Sequence, residues 1–165
     1  MVAVWNHYDT EAVMNLQSFL DENEIHYRIS RHTAVYTAQE LAATEHVSGR
    51  QVLKPVVVRA DGQLVMCVLP ACYRIDIGEL KQQLLANVVE LLAEQSLMNL
   101  FSDCQPGAEP PIGRMFGMTT LMDESLMHGN HVVFQAGTHE EAVTMSLADY
   151  RRIAHAELAH FGRPV

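Results

Sequence analysis

Apolar positions recur along the chain with two periods, one helical and one of strands. From Thr10 to Asn23, Val13, Leu16 and Leu20 return at helical spacing with Phe19 beside them. Asp9 or Thr10 supplies a cap, and Glu11 adds negative charge where a helix dipole favours it. Ile25, Tyr27 and Ile29 then alternate with polar residues, which predicts a strand. Thr37 and Glu40 form a T-x-x-E box opening a short helix through about Glu45. Next come VLKPVVVR and QLVMCVLP, two β-branched apolar runs joined by Ala60-Asp61-Gly62, a hairpin signal. Pro55 has no N–H for a ladder, so it predicts an edge or a bulge at that point.

Further along, Asp76 and Glu79 predict a cap for a helix to about Leu85, followed by a brief strand at VVEL and a brief helix at EQSLMNLF. SDCQPGAEPPIGR holds three prolines and two glycines in 13 residues and predicts a shaped loop. HVVFQ and AVTMS read as strands, with Ala136-Gly137-Thr138 turning the chain between them. Ser146 and Asp149 cap a last helix, expected to run through about His160. Hairpins interleaved with short helices indicate an α+β single domain spanning residues 1–165. No Gly-rich fingerprint follows a strand, which excludes a Rossmann reading.

Composition narrows the functional classes. The chain has 165 residues, 48% of them hydrophobic, and its 11 Lys+Arg against 20 Asp+Glu give a net charge of −9. Such acidity argues against binding long duplex DNA over the whole surface, so any nucleic acid is expected to be held at a small patch. Three cysteines without a CxxC pair fit a reducing cytoplasm better than a disulfide framework or zinc site. No basic-then-apolar leader opens the sequence and no apolar run reaches membrane-spanning length, so neither secretion nor a membrane partner is expected.

Three places carry candidate chemistry. Lys54 stands among Val52, Leu53, Val56 and Val57, and from His46 to Ala60 Arg50, Lys54 and Arg59 are unaccompanied by any acid. It is either an edge lysine reaching for water or a cation at the lip of a pocket. In PGAEPPIG, Pro106 to Gly113, glycines bracketing prolines make either a rigid connector or a loop that aims N–H groups at one point. Gly137-Thr138-His139 places a histidine at a turn, where exposure and a titratable nitrogen are expected. His128-x-x-His131 is interrupted by Gly129-Asn130, so no metal is expected. Cys67 reads as core, and Cys104 follows an acid, the wrong charge for an activated thiol.

HTAVYTAQELA, GRQVLKPVVV with its hairpin, LFSDCQPGAEPPIG and VVFQAGTHEEAVTMSLADY, taken in this order, resemble the YbaK/prolyl-tRNA synthetase-associated family of aminoacyl-tRNA deacylases. The resemblance spans about Glu24 to His160. It implies a mixed, partly barrel-like sheet surrounded by short helices, and hydrolysis of the ester joining a wrong amino acid to the 3′ end of a tRNA. It also implies that Lys54 is the family lysine, that Gly107, Pro111 and Gly113 belong to its Gly-x-x-x-Pro loop, and that Gly137, Thr138 and His139 match the Gly-Thr-His of some branches. Where the family commonly has a small polar residue after the lysine, this chain has Pro55. On this likeness Lys54 binds phosphate or the ester carbonyl, loop N–H groups hold the oxyanion, and water is oriented by the ribose hydroxyl or His139. No cofactor is needed. Tyr36, Met115 and Phe116 are expected to line the pocket, with a positive mouth at Arg50, Lys54 and Arg59 for the tRNA acceptor end. A synthetase or elongation factor is the expected source of substrate.

Overall fold

The computed structural model describes residues 16–165. The cap expected at Asp9 or Thr10, and Val13, lie outside them. Helix α1 is described over Leu16–Glu22 and buries Leu16 and Leu20. Strand β1 (Tyr27–Arg31) follows, then α2 (Ala38–Thr44), where Thr37 Oγ1 accepts the Glu40 N–H at 3.0 Å. Strands β2 (Leu53–Ala60) and β3 (Gln63–Pro70) pair antiparallel from Leu53 opposite Pro70 to Ala60 opposite Gln63 without a break. Only Asp61 and Gly62 lie between them, at φ 46° and 87°. Two positive φ values in a two-residue loop match the right-handed twist of the strands, which is why Asp-Gly works here.

The chain continues through β4 (Tyr73–Ile75), α3 (Ile77–Leu84), β5 (Val89–Leu91) and α4 (Glu94–Leu100). Asp76 caps α3 by accepting the Glu79 N–H at 3.0 Å. After the proline-rich loop come a 3-10 turn at Gly113–Phe116, β6 (Thr119–Asp123), a second 3-10 turn at Glu124–His128, β7 (His131–Gln135) and β8 (Glu141–Ser146). Helix α5 (Leu147–Ala154) is capped by Ser146 Oγ, which accepts the Asp149 N–H at 3.1 Å. It does not reach His160. His155 turns left-handed at φ 50°, and the chain forms β9 (Glu157–Ala159) and β10 (Gly162–Pro164) instead.

Among the described residues three sheets result, in the orders β1-β8-β7, β10-β4 and β5-β2-β3-β6-β9. The five-stranded sheet is mixed, with β3-β6 and β6-β9 parallel and the other pairs antiparallel. The strands do not close into a barrel; a parallel bridge from Val52 to Val133 links the two larger sheets. Strand β5 pairs only with Val58–Ala60, so Pro55 falls in the half of β2 with a single strand neighbour. Of the two expectations for Pro55, edge and bulge, the structure shows the edge.

Period-two alternation sorts the side chains of β2. Leu53 and Val57 enter the main core with Ile112, Phe134 and Met145. Val56 and Val58 face the second core, which holds Cys67, Leu69, Tyr73 and Phe161. Val52 and Val133 join a third cluster under Leu41 and Ala42 of α2. Lys54 falls on the face of Val52 and Val56, between the second and third clusters.

Candidate functional site

Lys54 is half-buried and donates from Nζ to the backbone carbonyl of Tyr73, the first residue of β4. Burial lowers its pKa from the ordinary lysine value, and nearby Cys72 acts the other way. Among the described residues no carboxylate lies within ion-pair distance of it, so the ammonium is uncompensated by charge. Arg50 joins it from the loop before β2, its guanidinium 5.9 Å from the centre of the Tyr73 ring. Two cations therefore flank one tyrosine.

The bridge between Val52 and Val133 sets what Lys54 faces. Two residues further along each segment stand Lys54 and Gln135, on the side of the bridged pair. Gln135 is buried, and its Oε1 lies 3.1 Å from His139 Nδ1 while its Nε2 donates to the Val35 carbonyl at 3.5 Å. The sheet thereby brings the predicted lysine to the side of the predicted histidine turn.

His139 is not the exposed turn residue the sequence suggests. It retains 8% of its surface, and Nε2 meets the Pro106 carbonyl at 2.8 Å. Its backbone N–H donates to Gln105 Oε1 at 2.7 Å, and its carbonyl accepts from Val35 N at 3.0 Å. Two more backbone bonds, Gln105 N to Gly137 O at 2.9 Å and Gly137 N to Ala108 O at 2.8 Å, lock the two loops together. Gly137 turns with φ 90° to allow this. Tyr36, 66% exposed, lies over the buried imidazole with 4.8 Å between ring centres. With both ring nitrogens engaged by protein groups, His139 organises the loop rather than reaching for a water.

Two N–H groups of the loop are bonded within the protein. Ala108 N donates to Gln105 O, and Gly113 N to Thr120 Oγ1 at 2.7 Å. Gly107 turns with φ 84°, and its N–H and that of Glu109 lie near the Glu109 carboxylate. Burial raises the Glu109 pKa, while those two N–H groups and nearby His139 act downward. The loop encloses a cavity of about 430 Å³ with α4, lined by Leu97, Met98, Phe101, Cys104 and the carboxylates Glu94 and Glu109. Pro111 is held by Tyr150 of α5, whose hydroxyl donates to the Pro111 carbonyl at 2.5 Å.

The remaining predicted residues divide. Arg59 lies five residues after Lys54 on β2, so it points to the opposite face, about 16 Å along the strand. It is not part of a mouth with Arg50 and Lys54. Met115 is buried in the main core, and Phe116 packs edge-on against Phe101 at 4.6 Å, so both pack the core instead of lining a pocket beside Lys54. Thr138 lines a small polar recess with Arg31, His32 and Glu140, its Oγ1 accepting Glu140 N at 3.3 Å. Burial pushes the thiols of Cys67 and Cys104 up to about 12, so neither is a nucleophile near neutral pH. Among the described residues no three His, Cys, Asp or Glu side chains come together as a metal set, and no helix is long and apolar enough to cross a membrane.

Gln105, Gln135 and Glu109 were not singled out from sequence. A signal existed for Gln135, because in HVVFQ it shares a face with Val133, an inward position where a polar residue demands partners. Nothing local marks Gln105 or Glu109, whose partners come from the folded loop.

Comparisons with known proteins bear on the family and the fold. Residues 32–153 match the aminoacyl-tRNA editing domain. The multifunctional Ser/Thr-tRNA deacylase ProXp-y of Escherichia coli is 26% identical over 153 residues, covering 90% of this chain and 91% of that protein. In fold, the crystal structure of hypothetical protein APE2540 superposes with a TM-score of 0.82 at 18% identity, covering 90% of this chain and 99% of its own. A protein assigned as a trans-editing enzyme for prolyl tRNA synthetase superposes at 0.80 with 17% identity, covering 92% and 96%. The match takes in the segment that carries Lys54, the proline loop and the histidine turn, and the chain belongs to the aminoacyl-tRNA editing domain family.

Proposed function

We propose that this protein removes wrong amino acids from tRNA in trans, hydrolysing the ester at the 3′-terminal ribose. The observation that carries the reading is the uncompensated, half-buried Lys54 ammonium, fixed on the Tyr73 carbonyl, on a strand that the Val52–Val133 bridge ties to the sheet of Gln135. A cation held in a partly desolvated place stabilises charge developing on a carbonyl oxygen far better than one in water. The ester is already activated, so water is nucleophile enough. Its oxygen bonds to the carbonyl carbon, the ribose oxygen leaves and takes the proton, and free amino acid and tRNA separate. The neighbouring ribose hydroxyl orients that water.

Lys54 is the oxyanion donor, and His139 acts as a positioning residue that holds the Pro106 carbonyl in place. Tyr36 offers an exposed ring on which the terminal adenine stacks, and Arg50 a charge for its phosphate. Need for such a site follows from pocket energetics. A synthetase separates side chains that differ by one methylene by only about 1–3 kcal/mol.

Release of free amino acid from a panel of seryl-, threonyl-, alanyl-, cysteinyl- and prolyl-type mischarged tRNAs tests the reading. Turnover on at least one, lost about 10²-fold or more in Lys54→Ala, is the expected outcome. A second reading, a binding module without turnover, is favoured by Pro55. Saturable binding of charged tRNA with no release of amino acid would establish it instead.

A further inference from the structure

On the side of the β1-β8-β7 sheet that also carries Gln135, a groove of about 560 Å³ opens at the far end of the strands. His26 and Arg28 border it from β1 and the residues before it, His131 from the start of β7, and Thr144 and Ser146 from β8. The register sets Arg28 opposite Thr144, so the guanidinium and the hydroxyl belong to one face. Among the described residues Arg28 enters no ion pair. Thr144 Oγ1 is buried there and has no hydrogen-bond partner. Among the described residues Asp149 is the one carboxylate lining the groove, and it is paired with Arg152 at 3.5 Å. A guanidinium and two imidazoles thus border one groove in a protein of charge −9.

We infer that this groove binds the phosphate backbone of the tRNA acceptor stem, a docking site separate from the one that holds the ester. The inference rests on the reading of the protein as acting on tRNA. A guanidinium without a carboxylate partner, in a groove open to solvent, suits phosphate oxygens, which accept several hydrogen bonds and carry the opposite charge. Spacing agrees. From His131 to Gln135 the strand advances about 13 Å at about 3.3 Å per residue. A stacked strand rises about 3.4 Å per nucleotide, so the groove meets phosphates about four nucleotides before the terminal adenosine. Helix α2 packs on Val133 between the two places, and the RNA steps across it.

Binding of an uncharged acceptor minihelix, followed by fluorescence anisotropy over a salt series, tests the groove without requiring turnover. Arg28→Ala is expected to weaken binding about 5–10-fold and to lower the slope of log K against log salt by about 0.7–0.9, the signature of one lost phosphate contact. Arg28→Lys should restore most of both. Arg31→Ala, which removes the same charge from the other face of β1 where Arg31 pairs with Glu141 at 3.9 Å, should leave the slope as it was. If Arg28→Ala and Arg31→Ala give the same affinity and slope, the groove is not the docking site, even in a protein that deacylates well. If Arg28 governs minihelix binding while no mischarged tRNA is hydrolysed, the docking site stands and the deacylase reading falls.

Discussion

Lys54 shows how one side chain can be useful because its surroundings fit it poorly. Its ammonium is taken partly out of water and given a carbonyl instead of a carboxylate, and the cost appears as a lowered pKa. Activity that needs the charged lysine should therefore fall as pH rises through a value below the ordinary lysine range. A kcat/KM profile over pH 6–10 checks this, and Lys54→Arg should push the alkaline limb upward. Tyr150 and Gly113 hold the loop from beneath. Tyr150→Phe leaves the Pro111 carbonyl buried without its donor, which is expected to cost about 1–3 kcal/mol in urea unfolding. A Cβ on Gly113 would lie 2.6 Å from Thr120 Oγ1 and 2.7 Å from the Met118 carbonyl. Gly113→Ala must therefore shift backbone, and a clear fall in Tm is the expected result.

At the scale of elements, most of what the sequence announces is local. The caps at Thr37, Asp76 and Ser146 each satisfy an N–H three residues on, and both residues of each pair are visible in a string of letters. The Asp61-Gly62 turn is equally local, yet it does more than reverse the chain. The Asp61 carboxylate accepts the N–H groups of Asn87 and Val88, tying the hairpin to β5, and these bonds hold its pKa below the usual carboxylate value. A depressed folded value means stability that is present above about pH 4 and lost as pH falls through the lowered value. Asp61→Asn should flatten that acid limb of the Tm–pH curve. Strands β4, β6, β9 and β10 went unannounced because each finds its partner far along the chain, as β9 does with β6 and β10 with β4. The burial of His139 was hidden for the same reason, since Pro106 lies 33 residues away. The opposed faces of Arg59 and Lys54 were legible all along, because an odd separation on a strand always splits two residues.

Over the whole molecule, charge and chain ends matter more than any single element. The net charge of −9 repels RNA at long range, so the local cations at Lys54 and Arg50 work against the background field, and kcat/KM for tRNA should pass through a shallow dependence on salt instead of a steep one. The final strand closes the molecule onto its candidate site. Asp123, 1% exposed, accepts the N–H groups of Phe161 at 2.9 Å and Gly162 at 2.6 Å, and β10 lies against β4 with Pro164 opposite Tyr73. Removing residues 161–165 strips Asp123 Oδ1 of both these donors, leaving only Ser125 on Oδ2, and is expected to cost more than about 2 kcal/mol in urea unfolding.

The C-terminal pairing has a practical corollary at the bench. Val165 donates its N–H to the Cys72 carbonyl, one residue from the oxygen that anchors the Lys54 ammonium. A purification tag, fluorophore or fused partner attached after Val165 therefore starts next door to the candidate site, and a preparation bearing one should be compared with a version from which it has been cleaved.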